Sequence, residues 1–400
     1  MPAVGGVGDP TACPIRSVTD VFSTTRMSPE MTGFHFILSS ADDKTPCRRA
    51  VRQEALTCVV IFYTNLLIGD RYGRSPHSIT GYTPPHGGAA GYVLQHRERT
   101  ARGRGSPGAG NMERMHKMKI AIATDTTSGI GPQEARELGV SVLPMPVTID
   151  GQEYLETVNL DHDFFFRKQA EGAEITTSQP APGALTELWD KLLEDHDGVL
   201  YLPMTSGLSS SYATAATLAE DYEGRVAVAD AKRISVPLWQ AVQDALTLVK
   251  KGLALEDVCR RLVEKALCAS IYITPITLEF LKKGGRITPA AAAIGTVLNL
   301  KPVLQIQGGG VDAYAKVRGM KQAVEKMFAA LDHDLETRFA GRPVRVFAAY
   351  SGEASVGESW SAQMREHYGE LFTRIDPLAL NICCHTGPGA VALGCAEYEV

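Results

Sequence analysis

Short apolar runs of strand length alternate with segments of helical length from residue 118 to the end of the chain. This alternation is typical of α/β folds, in which helices cover a largely parallel sheet. The first strands are predicted near 119–123, 141–149, 198–203, 225–229 and 269–274, and the first helices near 161–170, 183–194, 209–221, 235–251 and 255–266. Their order predicts a mainly parallel sheet with helices on both faces.

A second set of elements follows, and its order is mixed. The pattern places a helix near 278–283, strands near 302–306 and 311–315, a helix at 319–333, a strand at 344–349, a helix at 355–368 and closing strands near 371–384 and 390–396. Cys383 and Cys384 are interpreted as small apolar fillers of a strand. We therefore predict an α/β fold of two lobes, a mainly parallel one over 118–275 and a mixed one over 276–400, with a ligand cleft between them.

Residues 1–117 lack this pattern. Pro, Gly, Arg and Ser alternate there with short apolar fragments, and the stretch RERTARGRGSPGAG at 97–110 is typical of a linker. The linker contains a Gly-x-Gly-x-x-Gly match at Gly103, Gly105 and Gly108. We interpret the match as accidental, because no strand precedes it and a proline lies inside it. The sequence predicts a low-order N-terminal extension before a domain that begins at Met118.

Charge separates the extension from the rest of the chain. Residues 1–117 carry 14 Lys+Arg against 9 Asp+Glu, whereas 118–400 carry 26 against 36. An acidic body without a basic stripe is not typical of a nucleic-acid-binding protein. An Arg-rich targeting leader is the alternative interpretation of the extension, and several acidic residues disfavour it. These residues are Asp9, Asp20, Asp42 and Asp43.

Cysteine spacing and hydropathy argue against a zinc site and a membrane-spanning helix. The eight cysteines form no Cys-x-x-Cys pair and show no spacing with histidine that suits zinc. The most apolar early run, at 58–69, is shorter than the roughly 20 apolar residues that a membrane-spanning helix needs. We expect no metal, no cofactor and no membrane insertion, and the free thiols favour the cytoplasm.

Four small, polar, glycine-rich loops are candidates for a binding site. They are DTTSGIG at 125–131, TTSQPAPG at 176–183, TSGLSSSY at 205–212 and HTGPGA at 385–390. Ligands of open α/β sheets bind beyond the carboxyl ends of the strands, where such loops lie. Ser178, Ser206 or Ser209 could serve only as helix N-caps. The hydroxyls outnumber what one cap requires, however, and helix N-termini bind anions.

Two further residues stand next to glycine-containing turns. The segment LEFLKKGGRI at 278–287 predicts a short helix that ends at Gly284 and Gly285. C-capping explains the glycines but leaves Arg286 free to reach into a cleft or a partner. His385 precedes a rigid Thr-Gly-Pro-Gly turn at a predicted strand end, which makes it a candidate functional histidine.

A serine hydrolase that uses Ser209 and His385 is the alternative function. Gly207 and Ser209 form part of a nucleophile elbow between a strand and a helix, and His385 follows later in the chain. The second glycine of the elbow is replaced by Ser211, and no acidic residue stands out as the partner of the histidine. Hydroxyls from two loops suit holding an oxyanion more than attacking a carbonyl. A binder of some other small anion is the third possibility.

The order of eight segments resembles the DegV family of bacterial fatty-acid-binding proteins. The segments are DTTSGI, LPMPVTIDGQEYLE, ITTSQPAPG, SGLSSSY, VADAKRIS, LEFLKKGGRI, LNLKPVL and HTGPGA. The resemblance covers 118–400 and none of 1–117. It implies a two-lobed DegV-like fold that buries one long-chain fatty acid between its lobes. It also implies that the protein is the lipid-binding subunit of a fatty-acid kinase and has no activity of its own. Such a subunit presents the carboxylate to an ATP-dependent kinase subunit. The product, acyl phosphate, serves phospholipid synthesis.

The resemblance also implies roles for residues of the matching motifs. Thr177, with Ser178 beside it, and Ser209 would bind the carboxylate, and His385 would complete the head-group network. Arg286 would serve phosphoryl transfer or kinase docking, with His385 as a second candidate for phosphoryl-transfer support. The chain departs from the family at Ser210 and Ser211, at Val236 to Leu238, and at Cys383 and Cys384.

Overall fold

The computed structural model describes residues 118–292 and 300–400, which fall within one compact unit, Gly108–Val400. The extension predicted over 1–117, including its glycine match, lies outside the described residues. The lobe boundary predicted between 275 and 276 stays a prediction. Within the two described ranges, no helix is long and apolar enough to cross a membrane.

The described elements alternate between strands and helices, as the sequence pattern predicts. In chain order the strands are β1 (Ile120–Asp125), β2 (Ser141–Leu143), β3 (Pro146–Ile149), β4 (Gln152–Leu155), β5 (Ile175–Thr177), β6 (Gly198–Leu202), β7 (Val226–Val228), β8 (Ala269–Thr274), β9 (Leu300–Ile306), β10 (Asp312–Arg318), β11 (Val344–Tyr350), β12 (Phe372–Pro377) and β13 (Val391–Glu397). The helices are α1 (Pro132–Leu138), α2 (His162–Ala170), α3 (Pro182–Leu193), α4 (Ser211–Ala219), α5 (Val236–Lys250), α6 (Leu255–Glu264), α7 (Glu279–Gly284), α8 (Pro289–Ala292), α9 (Gly319–Glu336), α10 (Ala354–Tyr368) and α11 (Leu380–Thr386).

The first sheet has four parallel strands in the order β2-β1-β6-β7. Its central strands, β1 and β6, are buried along their whole length, which explains their continuous apolar sequences. The single strand predicted over 141–149 is wrong. Pro144 and Pro146 interrupt it, because proline has no N–H for the ladder, and its halves β2 and β3 lie in different sheets.

The second sheet has six strands in the order β10-β9-β8-β13-β11-β12. All of its pairs are antiparallel except β11 with β12, which are parallel. The strand predicted over 269–274 forms as β8, but it pairs with β9 and β13 here, so its placement in the parallel sheet is wrong. A third, antiparallel sheet has the order β4-β3-β5.

Helix α5 joins the first two sheets. It contacts β1 and β6 of the parallel sheet and β11 and β13 of the six-stranded sheet. Trp239 on this helix packs edge-on against Phe347 of β11, with 6.3 Å between the ring centroids. The α/β class, with a parallel sheet first and a mixed sheet second, is therefore confirmed.

The strand predicted over 371–384 is wrong in its second half. Only β12 is extended, and Cys383 and Cys384 lie in helix α11. The Cys384 Sγ donates to the Leu380 carbonyl one turn earlier, at 3.2 Å, as a helical side chain can. Leu380, Cys383 and Cys384 recur at helical spacing and form its buried face.

Candidate functional site

A cleft lies beyond the carboxyl ends of the parallel strands and faces the six-stranded sheet. Its empty volume is about 1080 Å³ including the open mouth, which is sufficient for a small-molecule ligand. The loop after β6 and the start of α5 contribute to one wall, and α7 and α11 contribute to another. The cleft therefore has the position that the sequence predicted for a ligand site.

The floor of the cleft is apolar and comes from the six-stranded sheet. Two rows of paired residues line it, Ile273–Ala392–Ala349 and Ile271–Gly394–Phe347. The small residues of β13 leave a trough between the isoleucines of β8 and the side chains of β11. A Cβ at Gly394 would lie 2.4 Å from the Ser270 carbonyl oxygen, so the close strand packing requires glycine. The floor of the cleft therefore suits an apolar ligand group.

Hydroxyl and imidazole groups gather at the mouth of the cleft, where Ser178 and Arg286 are exposed. The Thr177 Oγ1 lies 3.1 Å from the His385 Nε2. In the neighbouring loop the Ser209 Oγ lies 2.8 Å from the Ser211 Oγ. All the predicted site residues line the same cleft, although they come from distant parts of the sequence.

Gln179 connects the two hydroxyl-bearing loops, although it was not among the residues predicted for the site. Its Oε1 accepts hydrogen bonds from the Ser210 hydroxyl at 3.0 Å and from the Thr214 hydroxyl at 3.1 Å. Its position directly after Thr177 and Ser178 was the available signal. The bridge fixes the Thr177 loop relative to the Ser209 loop.

The helix caps differ from those that the sequence suggested. Ser178 does not cap α3, because Ala181 occupies the N-cap position without a side-chain bond and Pro182 begins the helix. At α4 the N-cap residue is Ser210, while the Ser209 Oγ accepts the Ser211 N–H at 3.1 Å. Ser178 is therefore free of the capping role, whereas Ser209 supports the first turn of its helix.

The environment of His385 favours the neutral imidazole. Burial, assisted by the positive charge of Arg286, lowers its pKa to about 4. Its Nδ1 is buried and has no hydrogen-bond partner in the described part of the chain. It lies in the last turn of α11, so the rigid turn at a strand end predicted for it is wrong, and the turn follows the helix instead.

Two glycines allow the LEFLKKGGRI and HTGPGA segments to pack together. A Cβ at Gly284 would lie 2.0 Å from the His385 Nδ1, and a Cβ at Gly387 would lie 2.4 Å from the Phe280 ring. Arg286 follows directly, and its Nη1 donates to the Gly284 carbonyl at 2.5 Å. Close packing of the two segments thus places the arginine beside the histidine at the mouth.

The DTTSGIG loop supports the site and does not line it. Asp125 is fully buried at the end of β1, and its carboxylate accepts the Met204 N–H at 2.9 Å and the Thr127 N–H at 3.0 Å. Burial raises the pKa of Asp125, although these hydrogen bonds oppose the shift. Asp125 therefore connects the end of β1 to the loop that carries Ser209.

Glu156 is a second buried carboxyl group, and it was not among the residues predicted for the site. It accepts hydrogen bonds from the Thr126 hydroxyl at 2.8 Å and from the backbone N–H groups of Leu380 and Asn381. Burial raises its pKa to about 7. Glu156 thus anchors the start of α11, the helix that carries His385, to the turn after β1.

The serine hydrolase alternative lacks its catalytic geometry. Among the described residues, the hydroxyl bonded to His385 is that of Thr177, and the Ser209 hydroxyl is paired with Ser211. The unpartnered Nδ1 of His385 also has no acidic residue to orient it. A catalytic triad requires a nucleophile that is hydrogen-bonded to a base and an acid that orients the base. The described residues do not form this arrangement.

Comparisons with known proteins agree with this architecture. The family model described as an uncharacterised protein of the DegV family matches residues 119–397. A DegV domain-containing protein of Deinococcus radiodurans is 31% identical over 277 residues, which cover 69% of this chain and 98% of that protein. A DegV domain-containing protein of Streptococcus pneumoniae is 30% identical over 285 residues, with 69% and 98% covered.

Solved structures with the same fold include proteins described as binding fatty acids. One is a DegV family protein from Thermus thermophilus, 33% identical, with a TM-score of 0.63 over 70% of this chain and 100% of that chain. Another is a fatty acid binding DegV family protein from Streptococcus agalactiae, 28% identical, with a TM-score of 0.63 and the same coverage.

Proposed function

This chain belongs to the DegV family, and we propose that it binds one long-chain fatty acid in the cleft. The observation that carries the proposal is an apolar floor that leads to a mouth of hydroxyl and imidazole groups. Among the described residues that line the cleft, none is Asp or Glu, and the charged one is Arg286. This arrangement suits an apolar tail with a single anionic end.

The carboxylate binds to Thr177, Ser178, Ser209 and His385 in this proposal. Hydroxyl groups donate to a carboxylate, and a neutral imidazole donates through whichever nitrogen carries the proton. The Thr177 and His385 contact of 3.1 Å holds both groups in one place before the ligand arrives. Such preorganised donors orient the head group without a net charge in the cluster itself.

The tail supplies most of the binding free energy. Burial of one methylene contributes roughly 0.8 kcal/mol, so about fourteen contribute on the order of 10 kcal/mol before the costs of association. One hydrogen bond to a charged group contributes only about 1.5 to 3 kcal/mol. The floor should therefore set affinity, and the hydroxyl groups should set orientation.

Titration calorimetry of delipidated protein tests the binding proposal. Hexadecanoate should bind with one site per chain, and its methyl ester should bind more weakly because it lacks the charged acceptor. Comparison of a long-chain alkane with the acid of the same length separates the contribution of the tail to the binding free energy from that of the head group. Absence of saturable binding by any long-chain fatty acid would sink the proposal.

We further propose that the protein is the lipid-binding subunit of an ATP-dependent fatty-acid kinase in the bacterial cytoplasm and has no activity alone. A carboxylate oxygen would attack the γ-phosphorus of ATP on the kinase subunit, the bond to ADP would break, and acyl phosphate for phospholipid synthesis would form. Arg286 is exposed beside the head-group cluster, where its charge would stabilise the transferred phosphoryl group. Five free cysteines in the described ranges suit a reducing compartment.

A reconstituted kinase assay tests the role of Arg286. Arg286→Ala should leave fatty-acid affinity intact and reduce acyl phosphate formation with the kinase subunit, because it removes the charge at the mouth but no hydroxyl of the cluster. Equal loss of binding and phosphorylation would instead place Arg286 among the residues that hold the carboxylate.

A further inference from the structure

Asn381 is a buried polar residue that the proposed carboxylate site does not use. Only 4% of its surface is exposed, and it lines the cleft. Its backbone N–H donates to the Glu156 carboxylate. No hydrogen bond joins its side-chain amide to a residue of the described ranges. The amide of a cleft-lining residue without a protein partner is available to a polar group of a ligand.

Asn381 lies between the head-group cluster and the apolar floor. It precedes His385 by four positions on α11, so the two side chains share one face about 6 Å apart along the helix axis. His385 lies beside Gly284, near the mouth of the cleft. Before the start of α11, the cleft-lining residue Leu378 donates its N–H to the Tyr350 carbonyl of β11 at 2.7 Å. A ligand whose head group binds at His385 would therefore extend past Asn381, since both residues line the cleft.

Ser235 contributes a second polar group to the cleft wall. It is half-buried, and no hydrogen bond of its hydroxyl is found among the described residues. Its φ of 57° and ψ of −143° fall in a region that favours glycine, and such strain is typical of functional positions. Its N–H donates to the Thr127 carbonyl at 2.8 Å, while the neighbouring Thr126 holds Glu156 and the start of α11. Ser235 and Asn381 are thus both fixed to the turn Thr126–Ser128.

We propose that Asn381, assisted by Ser235, forms a subsite for a hydroxyl group on the first carbons of the acyl chain, so that the ligand class is hydroxylated fatty acids. The inference rests on the proposed fatty-acid-binding function. A hydroxyl can donate to the Asn381 Oδ1 and accept from its Nδ2. An unsubstituted methylene would leave the amide unpaired, and sites built for a hydroxyl discriminate against analogues that lack it.

The test compares three acids of equal chain length on delipidated full-length protein by titration calorimetry. They are hexadecanoate, β-hydroxyhexadecanoate and ω-hydroxyhexadecanoate. The β-hydroxy acid should bind about tenfold or more tightly than hexadecanoate, equivalent to about 1.4 kcal/mol. The ω-hydroxy acid should bind more weakly than hexadecanoate, because its hydroxyl would meet the apolar floor.

Asn381→Leu should abolish the preference for the β-hydroxy acid, and hexadecanoate should bind at least as tightly as to the wild type, because no amide is left unpaired. Cys384→Ala is the matched control, since Cys384 is buried on the same helix but does not line the cleft. It should retain the preference.

Equal affinity of the wild type for the β-hydroxy and unsubstituted acids would overturn the inference and leave the proposed function intact. Equal weakening of both acids by Asn381→Leu would also overturn it, because Asn381 would then belong to the carboxylate site. Binding of none of the three acids would refute the proposed function together with the inference. The comparison of the β-hydroxy and unsubstituted acids on the wild type tests the inference even if the Asn381→Leu variant does not fold.

Discussion

Substitution of Gly284 by alanine should weaken fatty-acid binding by displacing His385. The added Cβ would lie 2.0 Å from the His385 Nδ1, whereas ordinary van der Waals contact begins near 3.4 Å. The imidazole must therefore move by more than 1 Å, which is enough to break its 3.1 Å contact with Thr177. Loss of one charge-assisted hydrogen bond of about 1.5 to 3 kcal/mol corresponds to roughly a 10- to 150-fold increase in Kd.

Gly285→Ala provides the matched control for this experiment. Gly285 has a φ of +65°, and a Cβ there would meet no atom within 4 Å. Left-handed strain should lower the free energy of unfolding by about 1 to 2 kcal/mol, while His385 stays in place and the Kd changes little. Calorimetry with hexadecanoate and urea unfolding measure the two quantities. A folded Gly284→Ala protein with wild-type affinity would refute the assignment of His385 to head-group binding.

Three further predictions concern single groups of the site. Thr177→Val should raise the Kd for hexadecanoate about tenfold by calorimetry, because it removes a hydroxyl from the cluster, and an unchanged Kd would exclude Thr177 as a ligand. The His385 ring should titrate near pH 4 by NMR, since burial and Arg286 disfavour its charged form, and a midpoint near 6.5 would contradict its burial. The pKa of Glu156, raised from 4.5 to about 7, means that its contribution to stability falls as the pH rises through this interval. The unfolding free energy of the wild type minus that of Glu156→Gln should therefore decrease by roughly 3 kcal/mol between pH 4.5 and 8 in urea titrations, and a constant difference would refute the shift.

Much of the fold follows from local pattern. The helices near 183–194, 235–251 and 355–368 form close to their predicted bounds, because their apolar periods are long. The strands near 198–203 and 344–349 do so because each is a short apolar run of strand length. The helix α11 was missed because a short apolar run fits a strand or a helix equally well. The sheet to which β8 belongs depends on tertiary pairing with β13, which the sequence of β8 does not encode.

Local sequence pattern predicted the loops that carry the site, but it did not predict the contacts between them. Glycine-rich loops with hydroxyls indicated Thr177, Ser209 and His385 as candidates. The bond between Thr177 and His385, however, joins residues 208 positions apart, and only the packing of the sheets brings them together. Asn381 carried no local signal at all, because its significance depends on being buried in the cleft without a partner.

Native mass spectrometry of protein purified from a bacterial host, without added lipid, tests the central claim most directly. The proposal predicts a complex whose mass exceeds that of the polypeptide by one long-chain fatty acid, and the same acid in an organic extract of the sample. The extra mass should disappear on denaturation. A spectrum that contains only the bare polypeptide, together with an extract free of fatty acid, would contradict the claim that this cleft binds a fatty acid.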